Sequence, residues 1–476
     1  MSTNYPKLLL LILILGTGVL FRLYNVSFDD LWYDEIISFW VANPNFSNAA
    51  TFNAHNQIED APFLYNFILK FHFYIFGYSV LVGRSLSAIF GILSIFTVIY
   101  LDRQISKNNN SYLFTAFLIS MNIFLIGYSQ EIRNYSLLFL ITTLTLIFFF
   151  KVIENKKNLK LLIIFSIIFL LNILLHPFGW IIFFTLSFYL FLKLLIKKFY
   201  SIPIIISFTI IFIISVVFYY KLFSITTNTD ADYYWFMQNP SLSFYTNFHF
   251  SNYFGSRLVG GVFLIVLIYL IIKNFKKFKE INIYTLFLIF IIFSYLIPIL
   301  FGYLFKPIFL PRYTMFNLIP IILILSVFTF NYEKKVKKFL IISILSLLTL
   351  GNHFTEQTIK QFYKLRASSK PEYSKAVNYI NKSITKEYIL KVENMKNNQA
   401  TSDAIENYIS YLNKDLKLIE FKNIKLTKKT FWYICPLDIS SKDCLLPKTM
   451  KKNSKLLEQK QFNSIILNLV EIKTKS

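Results

Sequence analysis

INIYTLFLIFIIFSYLIPILF, residues 281–301, holds no Asp, Glu, Lys or Arg in twenty-one positions. About 20 apolar residues cross roughly 30 Å of hydrocarbon as a helix, so this stretch reads as a membrane span. Ten more apolar runs in the first 350 residues carry no charge in their middle: 8–20, 81–101, 112–126, 136–150, 161–175, 178–192, 202–220, 258–272, 315–330 and 339–350. Runs 112–126 and 339–350 reach spanning length only with their polar flanks. Charge is thereby confined to the ends of the runs. The expected fold is mainly α and polytopic in a membrane, with about eleven transmembrane helices.

Composition supports this. Hydrophobic residues make up 55% of the 476 and aromatics 19%. A net charge of +24 in a soluble chain would suggest a nucleic-acid partner. Here most basic residues flank apolar runs, where orientation in a bilayer explains them and no nucleic acid is implied. Lys7 precedes the first run, but no small-residue cleavage site follows it, so an uncleaved first span is expected.

With the N-terminus inside, eleven spans place residues 102–110, 151–160, 193–198, 273–280 and 331–338 in the cytoplasm. These loops and Lys7 hold 18 of the 26 Lys and Arg before residue 351. That is the positive-inside bias. It puts the C-terminal 126 residues outside. Residues 62–76, PFLYNFILKFHFYIF, contain Asn66, Lys70 and His72 and end at Gly77. They fit a helix lying at the outer interface better than a span.

Arginines break the bias. Arg22, Arg84, Arg133, Arg257 and Arg312 fall at the outer face, as do Asp29, Asp30, Asp34, Glu35, Glu59, Asp60, Glu131, Asp230 and Asp232. Guanidinium is the planar, bidentate partner of phosphate. Carboxylates and arginines together over uncharged spans point to chemistry on a phosphorylated substrate at that surface. Asp34 and Glu35 open a short amphipathic helix fenced by Trp32, Tyr33 and Trp40. A carboxylate among such interfacial aromatics is partly desolvated, which raises its basicity toward a hydroxyl proton.

Several motifs follow one another in order: Arg22 ending the first span, the aromatic-Asp34-Glu35 sequence, and Asp60 shortly before Pro62. They continue with the second span of residues 77–101 with its Arg84, YSQEIRNYSL at 128–137, His176 in LLHPFG, and Pro311-Arg312-Tyr313. Together they resemble the type C (GT-C) membrane glycosyltransferases. More narrowly, the chain is similar to bacterial relatives of protein O-mannosyltransferase and of lipid A aminoarabinose transferase. The likeness covers roughly residues 5–330. It departs at 60–62, where Asp-Ala-Pro stands in place of the family's His-Pro-Pro or Lys-Pro, with His55 nearby.

The resemblance implies inverting transfer of a hexosyl or pentosyl group from a polyprenyl-phosphate sugar to an acceptor outside the cytoplasm (lipid, glycan or protein). It also implies a place in the bacterial inner membrane. Asp34 would be the general base, with Glu35 beside it as the second catalytic carboxylate. Glu35 and Asp60 would hold the acceptor, or a divalent cation together with Asp34, since clustered carboxylates are hard-ion ligands. Arg133, Arg312 and Arg257 would stabilise the phosphate leaving group. Gln130, Glu131 and Tyr135 would bind sugar hydroxyls, with His176 and Tyr313 completing the site.

Residues 1–350 form the expected catalytic membrane domain, with 25–79 as its first outer loop. Residues 351–476 form an extracytoplasmic domain that covers the site or meets the acceptor. In that domain, helices at 372–381 and 402–412 alternate with strands at 388–392, 416–421, 430–434 and 464–472, which suggests a small α/β fold. Cys435 and Cys444, the only cysteines, are placed for a local disulfide. Two other classes share some features. A transporter or flippase would carry ionisable groups at mid-membrane, which these runs lack. A polysaccharide polymerase or ligase would not be expected to carry the early Asp-Glu pair.

Overall fold

The computed structural model describes residues 5–59, 61–106, 110–197, 199–226, 250–305, 308–355, 370–392, 398–419, 430–439, 444 and 454–472. The chain divides into two compact units. Unit 1 comprises Met1–Tyr24, Arg84–Ser224 and Phe236–Phe362; unit 2 comprises Asn25–Gly83, Ile225–Trp235 and Tyr363–Ser476. The loop after the first span thus belongs with the C-terminal segment.

The protein is a multi-pass, mainly helical membrane protein. Among the described residues, eight helices are long and apolar enough to cross a membrane: Tyr5–Leu23, Val80–Ser106, Tyr135–Glu154, Gly179–Lys197, Ile202–Leu222, Ile283–Leu304, Pro311–Phe330 and Lys335–Phe354. A bent pair, Ser111–Met121 with Ile123–Ser129, counts as a ninth. Two helices of 17 residues, Leu159–Leu175 and Arg257–Lys273, occupy the remaining runs. At 1.5 Å per residue each is about 26 Å long, slightly short of the hydrocarbon core.

Burial sorts these helices. The segment Pro311–Phe330 is 89% buried and packs against Ser111–Met121, Arg257–Lys273 and Ile283–Leu304, so it forms the centre of unit 1. Peripheral helices turn bare apolar side chains outward, as Ile205, Ile206, Ile210 and Ile213 do on Ile202–Leu222. Water would not tolerate such a surface, whereas lipid solvates it.

The run expected as one span over 112–126 is instead broken by 56° at Asn122. A break frees carbonyls that hydrocarbon cannot satisfy. Buried Arg22 donates to Ile119 O (3.0 Å) and Ser120 O (3.1 Å), and His353 bonds Met121 O through Nε2 (2.9 Å). Asn122 caps the second half by accepting from Leu125 N, and its amide donates to Tyr253 O. Gly18 lets the first helix come this close, because a Cβ there would lie 2.8 Å from Ser120 Cβ.

In unit 2 the sheet runs β2 (Lys417–Leu418), β1 (Glu387–Leu390), β3 (Thr430–Pro436), β5 (Ile465–Ile472), β4 (Ser454–Phe462) across its width. β1 pairs in parallel with β2 and β3, and β5 is antiparallel to β3 and β4. Ile389, Phe431, Tyr433, Val470 and Ile472 form a core on one face. Cys435 and Cys444 are bridged, with Cα atoms 6.0 Å apart. β4 is absent from the sequence-based expectation. Its polar SKLLEQKQF lies at the sheet's edge with little of it buried, so it shows no apolar alternation to read.

The loop after the first span forms three helices, Tyr33–Val41, Asn48–Ile58 and Leu64–Phe76. Tyr33–Val41 packs on the helix Asn398–Leu412, with Phe39 against Tyr78, Tyr408 and Tyr411. Leu64–Phe76 buries Tyr65, Asn66, Leu69 and Phe73 and leaves Phe71, Tyr74, Ile75 and Phe76 exposed. At 13 residues it is about 20 Å long, too short to span.

Candidate functional site

The motif YSQEIRNYSL ends the half-helix Ile123–Ser129, turns over residues 130–134 and opens the helix Tyr135–Glu154. Local bonds hold the turn: Ser136 Oγ donates to Tyr128 O (3.0 Å), Ser87 Oγ to Arg133 O (3.2 Å) and Asn134 Nδ2 to Leu175 O (3.3 Å). Leu175 ends its helix, and His176 follows in extended conformation. Proline starts the 3₁₀ turn Pro311–Asn317, which Tyr253 pins by donating to Thr314 O (2.7 Å).

These three chain segments bring Arg133, Tyr135, His176, Arg312 and Tyr313 together. The rings of Tyr135, His176 and Tyr313 form a triangle with centroids 5.2 to 6.2 Å apart. Arg133 lies over the Tyr135 ring at 5.8 Å and Arg312 over the Tyr313 ring at 5.4 Å. Burial, then Arg133, then Arg312 push the His176 imidazole down from 6.5 to about 3. It is therefore neutral at physiological pH. Its Nδ1 accepts from Phe178 N (3.1 Å), which leaves the proton on Nε2 as a donor. Two guanidinium groups and a neutral N–H donor in one place suit an anion of phosphate type.

Other expected site residues of unit 1 sit differently. Gln130 spends its amide on Phe21 O and Tyr24 O (2.9 Å each), capping the first span. Glu131 is half-buried in the turn beside it, and Arg257 opens its helix behind the Ser256 cap.

In unit 2, Tyr33–Val41 starts without a side-chain cap, and Asp34 and Glu35 occupy its first turn, where the helix dipole favours negative charge. They have different surroundings. Glu35 is fully buried and ion-paired with Lys370 at 2.8 Å, whereas Asp34 is half-buried. Tyr33 donates or accepts at Thr401 Oγ1 (3.1 Å), and burial together with the carboxylates of Asp34, Asp438 and Glu59 raises its phenol. Asp30 accepts from Ser374 N and Oγ (2.8 Å each) and from Tyr408 OH (3.0 Å), so it caps the helix Tyr373–Asn381. Lys370, Asp30 and Asp438 are absent from the sequence-based site, because only folding brings residues more than 300 positions apart together.

Asp60, expected beside Asp34, lies outside the described residues, as do Asp230 and Asp232. His55, its neighbour in sequence, is buried with both ring nitrogens engaged, Nε2 on Ala61 O (2.6 Å) and Nδ1 accepting from Asn66 (3.0 Å). Among the described residues no three His, Cys, Asp or Glu side chains are arranged to hold a metal ion. Glu35 is held by Lys370, and Asp60, the third carboxylate of the expected cation set, is not among the described residues.

No protein-family model and no curated protein matches the sequence. Solved structures do match the fold, and they are GT-C glycosyltransferases. ArnT from Cupriavidus metallidurans bound to undecaprenyl phosphate aligns over 98% of both chains with a TM-score of 0.58 at 9% identity. The apo oligosaccharyltransferase of Archaeoglobus fulgidus aligns over 92% of this chain and 70% of its own, with a TM-score of 0.54 at 11% identity. The same enzyme with zinc and sulfate gives 0.51 at 12% identity, covering 90% of this chain and 68% of its own. The chain thus has the GT-C fold expected from its motifs.

Proposed function

We propose that this protein is an integral-membrane glycosyltransferase that moves a sugar from a polyprenyl-phosphate carrier to a hydroxyl acceptor with inversion. The observation that supports this best is the cluster of Arg133 and Arg312 around neutral His176, suited to a phosphate leaving group. The undecaprenyl phosphate bound by ArnT, a protein of the same fold, is consistent with a lipid phosphate as carrier.

In this reading the reaction is a single displacement. The acceptor oxygen bonds to the anomeric carbon as the bond from that carbon to the phosphate oxygen breaks. The bonding electrons leave on the phosphate, where the arginines and the His176 N–H offset the charge. The acceptor proton passes to Asp34. Tyr135 and Tyr313 give the sugar aromatic faces, and Glu131 takes a sugar hydroxyl. Glu35 and Gln130 act through structure, the first by its bond to Lys370 and the second by capping the first span.

In this reading the N-terminus is cytoplasmic and the chemistry lies outside, which the lysine-rich loops support, and the family likeness implies the inner membrane of a bacterium. Single cysteines at Lys156 and Asn274, in a background without Cys435 and Cys444, should resist a membrane-impermeant thiol reagent in sealed cells. Labelling of either would overturn that orientation. The function is tested by giving membranes that contain the chain labelled polyprenyl-phosphate sugars and identifying the product.

A further inference from the structure

Residues 250–256 lead into the helix Arg257–Lys273 and lie tightly against it. A Cβ on Gly260 would stand 2.4 Å from the Phe250 carbonyl, so only glycine at that position lets the stretch come so near. Phe254 stacks on Phe263 with centroids 3.9 Å apart, and Asn352 Nδ2 donates to Phe254 O (2.6 Å). Tyr253, in the middle of this stretch, is fully buried. It is a fixed post within unit 1.

The post makes contact in two directions. Its backbone carbonyl accepts from Asn122 Nδ2 (2.8 Å), at the break from which the half-helix Ile123–Ser129 leads to the turn of Arg133. Its ring meets Phe124 of that half-helix (5.3 Å), and Phe124 in turn meets Tyr128 (4.9 Å). On the other side its phenol donates to Thr314 O (2.7 Å) and lies 2.7 Å from Thr314 Oγ1. Thr314 departs from helical backbone angles (φ −106°, ψ 19°), so the turn Pro311–Asn317 kinks there, two residues after Arg312. A buried kink keeps its shape where its polar groups find partners, and Tyr253 supplies one.

We propose that Tyr253 is a positioning residue for phosphate binding: through Thr314 it sets where the Arg312 guanidinium stands relative to Arg133. The inference rests on the reading in which these two arginines hold the carrier phosphate. A guanidinium binds phosphate through a planar fork of fixed geometry, so freedom in the turn that carries it is lost affinity. The half-helix on the Arg133 side and the kink on the Arg312 side share this one residue as their reference.

The test measures binding of polyprenyl phosphate, and of the same polyprenol without its phosphate, to the full-length chain in lipid nanodiscs. Tyr253→Phe keeps the ring against Phe124 and removes the bond to Thr314. Affinity for the phosphate form should fall about 10-fold, while affinity for the polyprenol stays at the wild-type value. In an Arg312→Lys background the same change should add about 2-fold or less, because the fork it orients is gone. A loosening of the surrounding helices would instead weaken both ligands alike, or cost the same in both backgrounds. Either result would overturn the proposal.

Where Tyr253→Phe does not fold, Thr314→Val removes the hydroxyl from the other side of the contact. It should give the same selective loss at about 3-fold, and unchanged phosphate affinity would then overturn the proposal. The arginine reading is judged separately. If Arg312→Lys leaves phosphate affinity unchanged, that reading fails and takes the proposal with it. If Arg312→Lys weakens phosphate binding and Tyr253→Phe does not, the positioning role fails alone.

Discussion

The arginine cluster of unit 1 and the carboxylates of unit 2 show burial acting on opposite charges. Around His176 burial and two guanidinium groups remove a positive charge, leaving a neutral donor among cations. Around Asp438 burial and a neighbouring carboxylate favour keeping a proton. Each environment disfavours adding to the charge it already holds. The first thereby favours an anion and the second a proton.

The largest effect is expected in unit 2. Asp34→Asn removes the proposed proton acceptor at nearly constant volume, and transfer should fall about 10²–10⁴-fold while binding of polyprenyl phosphate persists. Binding lost together with activity would mean that the variant disturbs more than the base. In unit 1, Arg312→Lys keeps the charge but loses the planar fork, so affinity for polyprenyl phosphate should drop about 10- to 100-fold. Unchanged affinity would reduce Arg312 to a membrane anchor.

A smaller effect separates framework from chemistry. Asp30 lies four residues before Asp34, and sequence alone makes it a neutral control. The structure instead gives it a helix cap and a bond from Tyr408. Asp30→Ala should therefore destabilise the protein by about 1–3 kcal/mol in denaturation experiments. An unchanged melting curve would show that the cap is dispensable.

Much of the fold is legible because hydrocarbon admits no charge, so the apolar runs mark their own ends. The break at Asn122 is not, since one Asn inside an apolar run carries no local sign of it. The groups that satisfy it, Arg22 and His353, come from opposite ends of the membrane part. In the candidate site, the motif at 128–137, His176 and Arg312-Tyr313 are legible by resemblance, and the structure brings five of their side chains together. The different fates of Asp34 and Glu35 are not legible, because Lys370 lies 335 residues beyond Glu35. Asp438 likewise gains its neighbour only on folding.

The smallest effect concerns pH. A histidine held neutral, with its value depressed from 6.5 to about 3, contributes full stability above pH 6.5 and loses it as pH falls toward 3. His176→Gln should remove that acid-side loss and leave the shape of the activity profile between pH 6.5 and 8 unchanged. A new inflection in that range would mean that His176 titrates during turnover.

The central claim is that the chain takes a sugar from a lipid phosphate. Membranes containing wild-type protein or the Asp34→Asn variant would be incubated with polyprenyl phosphate carrying a labelled sugar, and label leaving the carrier would be measured. The account predicts that label moves to a new product with wild type and stays almost entirely on the carrier with the variant. Equal release by both proteins, or none by the wild type with any polyprenyl-phosphate sugar, would contradict it.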